Sequence, residues 1–256
     1  MTLTNTHAVV TGGASGIGAA ISTALLRSGA KVSIMGRRHD VLLDAVAQFP
    51  NSKDAQAIVC DVSNADSVTQ AFNDASSTFG AINVLVNCAG AAPTMPFHKL
   101  NVDDWNDVLA VNLNGVFHCT SAVINEMREK KSGRIINIAS TSALKGYAYV
   151  SAYCAAKHGV LGLTRALALE TAAHGITVNA ICPGYTDTDI IRDSVKNIVE
   201  KTGRSETQAL ETFTNTNPQK RLIDPEEVAD TVLWLCSNGS RSITGQAISV
   251  SGGEVM

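Results

Sequence analysis

Seven short runs rich in valine and isoleucine recur along this chain, and most are separated by stretches with helical periodicity. The runs are 7–11 (HAVVT), 31–35 (KVSIM), 56–60 (QAIVC), 82–87 (INVLVN), 134–139 (RIINIA), 176–182 and 246–250 (QAISV). Most do not alternate apolar with polar residues. Strands covered on both faces have this composition, which points to a parallel sheet between two helical layers. Helical patterns fall near 16–28, 40–48, 64–79, 101–130, 151–173 and 225–237. Asp40, Asn64 and Asp224 stand where N-caps are useful, and Pro225 follows at a first helical position. The β-α-β alternation predicts an α/β fold with one doubly wound, seven-stranded parallel sheet and helices on both faces. No linker or repeat divides the chain, so residues 1–256 are expected to form one domain. The exception to the pattern is 184–220, which is polar and irregular. A segment of that length outside a sheet is expected to act as a lid over a substrate, near 186–218.

Composition removes several function classes. The net charge is −3 with no basic block, so the electrostatic footprint of a nucleic-acid binder is missing. No apolar run is read as long enough to span a bilayer, and the start has no secretory pattern, which predicts a cytoplasmic protein. The six cysteines are dispersed without a C-x-x-C pair, and the histidines and carboxylates show no metal-ligand spacing. Neither a metal site nor a disulfide framework is expected.

The loop Thr11-Gly12-Gly13-Ala14-Ser15-Gly16-Ile17-Gly18 joins the first strand to the first helix. Small residues there let backbone N–H groups approach a pyrophosphate, and the positive end of the helix favours its charge. Dinucleotide binding follows, with Gly12, Ser15, Gly16, Ile17 and Gly18 as contacts. An acidic residue at the end of the second strand would select NAD; this chain has Gly36, Arg37 and Arg38 instead. A guanidinium suits a 2′-phosphate, so NADP(H) is the preferred cofactor over NAD, with Arg37 as the leading contact. Asp61 and Val62, just past the third strand, suit adenine. Tyr153 and Lys157 are spaced four apart, one helical turn, and a lysine ammonium beside a phenol favours the phenolate. A phenol tuned in this way is a usable acid or base.

Together these motifs resemble the short-chain dehydrogenase/reductase family over essentially the whole chain. The resemblance rests on TGGASGIG at 11–18, NCAG at 87–90, Asn112 in VNLNG, Ser140 closing IINIAS, Tyr153 with Lys157, and PGYTDT at 183–188. It implies a Rossmann-type fold and an NAD(P)-dependent oxidoreductase. Tyr153 would be the general acid/base, and Ser140 would polarise the carbonyl. Lys157 would bind the nicotinamide ribose and lower the Tyr153 pKa, and Asn112 would hold a relay water. Asn87, Ala89, Gly90, Pro183, Gly184, Thr186 and Thr188 would line the cofactor. Homotetramers are common in the family.

The long lid and the closing SITGQAISVSGG resemble 3-hydroxybutyrate dehydrogenases and 3-oxoacyl reductases. Ala92, Ser142 and Val150 occupy the positions where the former clamp a carboxylate, and none is a cation. The expected substrate is therefore a small molecule with a neutral carbonyl, a 3-oxoacyl thioester or an apolar ketone. Ser142, Tyr147 and Tyr185 are candidate contacts beside Ser140 and Tyr153, and the lid could bring Arg192, Lys196 or Lys220. The alternatives are an NAD-dependent hydroxyacyl or alcohol dehydrogenase and a non-catalytic dinucleotide sensor.

Overall fold

A computed structural model describes residues 2–256. Its strands are β1 His7–Thr11, β2 Lys31–Gly36, β3 Ala55–Val59, β4 Val84–Asn87, β5 Gly133–Ile138, β6 Ile176–Pro183 and β7 Ala247–Val250. The helices are α1 Gly16–Arg27, α2 His39–Gln48, α3 Ala65–Phe79, α4 Val102–Leu109, α5 Gly115–Lys130, α6 Ser151–Thr171, α7 Asp189–Thr202, α8 Glu206–Thr214 and α9 Pro225–Cys236. All seven strands pair in parallel in the order β3-β2-β1-β4-β5-β6-β7. The chain leaves β3 at one edge and re-enters the sheet beside β1 as β4. This reversal opens a crevice at the carboxyl ends of the strands.

The uninterrupted Val/Ile runs are explained by burial on both faces. Val10, Val86 and Ile136 face the layer of α1 and α9, where Ile21, Leu25, Val228 and Val232 pack. Their neighbours Val9, Leu85 and Ile135 face the other layer, against Val68 and Phe72 of α3 and Val123 and Met127 of α5. Successive strand residues thus alternate between two apolar layers, so no polar alternation survives.

Four expectations need correction. The segment 184–220 is not irregular: it carries α7 and α8, which bury only Val195 and Ala209 respectively. Such thin apolar faces leave a weak periodic signal. The helix read at 101–130 is interrupted by a π turn at Ala110–Asn114. By length and mean hydropathy Val102–Lys130 does match a membrane-spanning helix, contrary to the sequence reading. Here it packs against α3, α6, β4 and β5. Finally, Asn64 caps α3 by accepting from the Ser67 N–H, whereas α2 begins after Arg38, leaving Asp40 in its first turn. An acid there still complements the helix dipole.

Candidate active site

The glycine turn after β1 is built by close backbone approach. Gly12 has φ +66°, and its Cα faces the backbone of Ala89 after β4, where an added Cβ would lie 3.1 Å away. A Cβ on Gly18 would fall 2.1 Å from the Gly12 carbonyl oxygen. The Thr11 hydroxyl oxygen accepts from the Cys88 and Ala89 N–H groups, both at 3.0 Å, tying the ends of β1 and β4 together. Thr188 closes the turn from the other side, against Gly16.

A cleft of about 450 Å³ opens above this turn, a size within the usual range of ligand sites. Gly12, Ser15, Arg37, Asp61, Val62, Ala89 and Gly90 line it, and so does Arg38. The Asp61 carboxylate accepts from the backbone and hydroxyl of Ser63, which together with Arg37 hold its pKa below the usual carboxylate value. The residues present fit a dinucleotide: side chains are missing where the backbone approaches, and cations stand at the far end.

Other expected cofactor residues lie beside the cleft. The Asn87 side chain turns into the core, donating to Asn137 Oδ1 at 2.9 Å, and is 3% exposed. It supports the sheet rather than lining the cleft. Ile17 packs against the core layer of α1 and α9, and Gly18 serves the strand–helix contact. Pro183 ends β6, and Gly184 faces Glu254 and Ser251 of the tail. Buried Thr186 donates from its hydroxyl to the Gly184 carbonyl.

The reacting side chains come from three elements. Ser140 follows β5 and caps a short helical turn by accepting from the Ser142 N–H at 3.1 Å. Tyr153 and Lys157 sit on the first turns of α6. The Ser140 hydroxyl is close enough to the phenol to stabilise its ionised form. Lys157 is 4% exposed, and its Nζ donates to the Ile138 carbonyl at 2.9 Å. Nζ lies 5.5 Å from the Tyr153 ring centroid. Burial pushes the lysine down to about 8, so it remains an ammonium at neutral pH. The same burial pushes the Tyr153 phenol up to about 12, and the nearby Ser140 hydroxyl only partly opposes it. In the free protein desolvation thus dominates this phenol.

Asn112 sits in the π turn and is fully buried. Its Nδ2 donates to the Ala91 and Val108 carbonyls, both at 2.9 Å. Through the first of these bonds the side chain clamps the loop after β4. A Cβ on Gly90 would fill the space between Asn112 Oδ1 and Lys157 Nζ. A π turn places the amide where an unbroken helix would not, and sequence periodicity carried no sign of it.

Around Ser140 the candidate substrate residues separate. Ser142 is buried, whereas Tyr147 and Tyr185 meet edge to face at 6.3 Å. The cations on α7 and ahead of α9 are partnered: Arg192 pairs with Asp187 and Asp189, Lys196 with Asp193, and Lys220 donates to the Asn215 carbonyl. Two residues passed over by sequence reasoning, Phe213 and Glu254, join the aromatic pair.

Residues 12–254 match a family model described as enoyl-(acyl carrier protein) reductase. The chain is 40% identical to an acetoacetyl-CoA reductase of Shinella zoogloeoides, over 96% of this chain and 97% of that protein. It is 38% identical to a 3-oxoacyl-[acyl-carrier-protein] reductase of Synechocystis, over 99% and 98% of the two chains. The crystal structure of a single-residue variant of actinorhodin polyketide ketoreductase with NADPH superposes with a TM-score of 0.93, at 34% identity over 99% of each chain. The seven-stranded parallel sheet with its glycine-built cleft is thus a Rossmann-like oxidoreductase fold. The chain belongs to the short-chain dehydrogenase/reductase family, whose members exchange hydride between a nicotinamide dinucleotide and a secondary alcohol or ketone.

Proposed function

We propose that this protein is an NADP(H)-preferring reductase of neutral ketones, with 3-oxoacyl thioesters as the leading substrate class. The observation that carries the reading is the convergence of Ser140, Tyr153 and Lys157 beside a cleft whose far end holds Arg37 and Arg38. The relatives named for acetoacetyl-CoA and 3-oxoacyl-carrier-protein reduction, and the NADPH-bound ketoreductase structure, support it.

A bound nicotinamide supplies hydride to the carbonyl carbon, or accepts it in the reverse direction. Tyr153 gives its phenolic proton to the developing alkoxide oxygen, and Ser140 donates a second hydrogen bond to the same oxygen. The Lys157 ammonium then stabilises the phenolate left behind, which regains its proton from solvent. Asn112 keeps the loop at Gly90 and Ala91 in register with Lys157. Arg37 pairs with a 2′-phosphate, while Gly12, Ser15 and Gly16 admit the pyrophosphate. Residues 1–256 act as one domain, with α7 and α8 as the lid. Ser142, Tyr147 and Tyr185 meet the substrate. The absence of a free cation among Arg192, Lys196 and Lys220 favours a neutral carbonyl compound over a free hydroxy acid.

A homotetramer in the cytoplasm completes the proposal. Exposed Phe117 on α5 and Leu169 on α6 are suited to a subunit contact, and all six thiols are free. Titrating NADPH and NADH separately by nucleotide fluorescence, then assaying 3-oxoacyl thioesters, apolar ketones and 3-hydroxybutyrate, tests the reading. Tighter NADPH binding and thioester reduction are expected. Rapid 3-hydroxybutyrate oxidation would overturn the substrate class. An NAD-dependent dehydrogenase is the second reading, favoured by the uncharged Ser15 at the cleft.

A further inference from the structure

Glu254 belongs to the last turn of the chain, yet its side chain is only 1% exposed. Burying a carboxylate is costly unless its oxygens are partnered. Lys145 Nζ lies 3.2 Å from Oε1, and the Tyr147 hydroxyl bonds the same oxygen. A carboxylate can only accept, so it takes the single phenolic proton. The Thr141 hydroxyl, 2.7 Å from the phenol oxygen, then becomes the donor to Tyr147. Lys145 also sits 4.9 Å from the Tyr147 ring centroid. The other carboxylate oxygen rests against Gly184, where a Cβ would lie 3.0 Å from it.

The tail carboxylate therefore fixes the Tyr147 ring from its hydroxyl end. Tyr147 meets Tyr185 edge to face at 6.3 Å, and Tyr185 meets Phe213 of α8 at 5.1 Å. The three rings come from the loop after Ser140, the end of β6 and the lid. They form one half-buried aromatic wall beside the residue next to Ser140. Lys145 lies over the Tyr147 ring of this wall, and Glu254 already neutralises it.

We propose that Glu254 is a positioning residue that sets substrate choice: by orienting Tyr147 it maintains the wall Tyr147–Tyr185–Phe213, which takes the apolar acyl or aryl arm of a ketone. This rests on the ketone-reductase reading above and names the part of the substrate that the wall selects. Rings packed edge to face offer apolar edges and faces to an acyl or aryl group, and a carboxylate placed there would find Lys145 already paired.

The test compares wild type, Glu254→Gln, Glu254→Leu and Tyr147→Phe on ethyl benzoylacetate and its compact analogue ethyl acetoacetate, with NADPH and NADH. The leucine and phenylalanine substitutions should raise KM for the aryl ester about tenfold more than for the compact ester, the size expected of one lost polar anchor. Glu254→Gln keeps an acceptor oxygen for the Tyr147 hydroxyl and should recover most of that discrimination. Equal KM changes for the two esters, or a glutamine variant as impaired as the leucine one, would overturn the assignment in favour of general fold support. Tyr147→Phe removes one oxygen atom and decides the matter if the leucine variant fails to fold. Wild type inert toward both esters with both dinucleotides would sink the ketone-reductase reading itself; turnover without the KM split sinks only the role of Glu254.

Discussion

The α-carbon of Gly18 lies directly beneath the Gly12 carbonyl, so close that a methyl group on it would stand 2.1 Å from that oxygen. Both partners are backbone, and neither can rotate away. Gly18→Ala must push α1 off β1 and distort the turn that borders the cleft. The expected cost is about 3 kcal/mol, the upper part of the usual overpacking range. Thermal unfolding and nucleotide fluorescence check this together. A variant with wild-type melting and wild-type NADPH binding would show that the turn is not rigid.

Tyr153→Phe removes the phenolic proton while keeping the ring. The fall in kcat should be roughly 10²–10⁴-fold, the range of general acid–base contributions, with dinucleotide affinity little changed. Stopped-flow turnover beside a binding titration separates the two. Retained turnover would assign the proton to another group.

Arg37→Asp should weaken NADPH far more than NADH. Losing a charge-assisted contact costs about 2 kcal/mol, roughly 30-fold in affinity. Arg38 shares the cleft edge and will cushion the loss, so the double substitution should be larger. Equal weakening of both nucleotides would mean that Arg37 touches no 2′-phosphate.

What the sequence revealed and concealed follows from burial. Strands covered on both faces announce themselves as Val/Ile runs, and the glycines at 12 and 18 are dictated by backbone contact. Both signals are local. The π turn at Asn112 has no compositional cost and left no trace. Helix α7 did carry a pattern, with Ile191, Val195, Ile198 and Val199 on its inner side, but only Val195 is fully buried. Helix α8 opens on a capping box, Ser205 with Gln208, which could have been found by its S-x-x-Q spacing. Glu254 was invisible because its partners, Lys145 and Tyr147, are more than a hundred residues away in sequence.

The sparse burial of α7 and α8 bears on their proposed role as a lid. Helices with one buried anchor each should open at lower free energy than the sheet. Amide hydrogen exchange is expected to be faster in Asp189–Thr214 than in β4 and β5, and to slow when NADPH and a ketone analogue are added. Exchange there as slow as in β4 and β5, with no response to ligand, would rule out a lid.

His7, at the start of β1, makes the fold sensitive to acid. Its Nδ1 lies 2.8 Å from the Gly80 carbonyl, which can only accept, so that nitrogen carries the proton. Nε2 therefore accepts from the Ser33 hydroxyl at 2.7 Å, and Ser33 Oγ itself accepts from Gln56. A second ring proton would have to reverse the Ser33 bond, turning its hydroxyl away from the ring. Burial holds the pKa below the ordinary 6.5, the nearby Lys31 adds to the effect, and the Gly80 bond and Glu126 oppose it. In the unfolded chain the ring protonates near 6.5, so below that pH the unfolded state binds more protons. Stability should fall as pH drops from 6.5 toward the folded value, by at most about 1.4 kcal/mol per pH unit for one proton. Carboxylates such as Asp61 and Glu227, held low in the fold, add their own loss at lower pH. Urea unfolding of wild type and His7→Asn at pH 7.5 and 5.5 isolates the histidine. The wild type should lose more stability between the two values than the variant, and identical losses would show that His7 accepts its second proton without penalty.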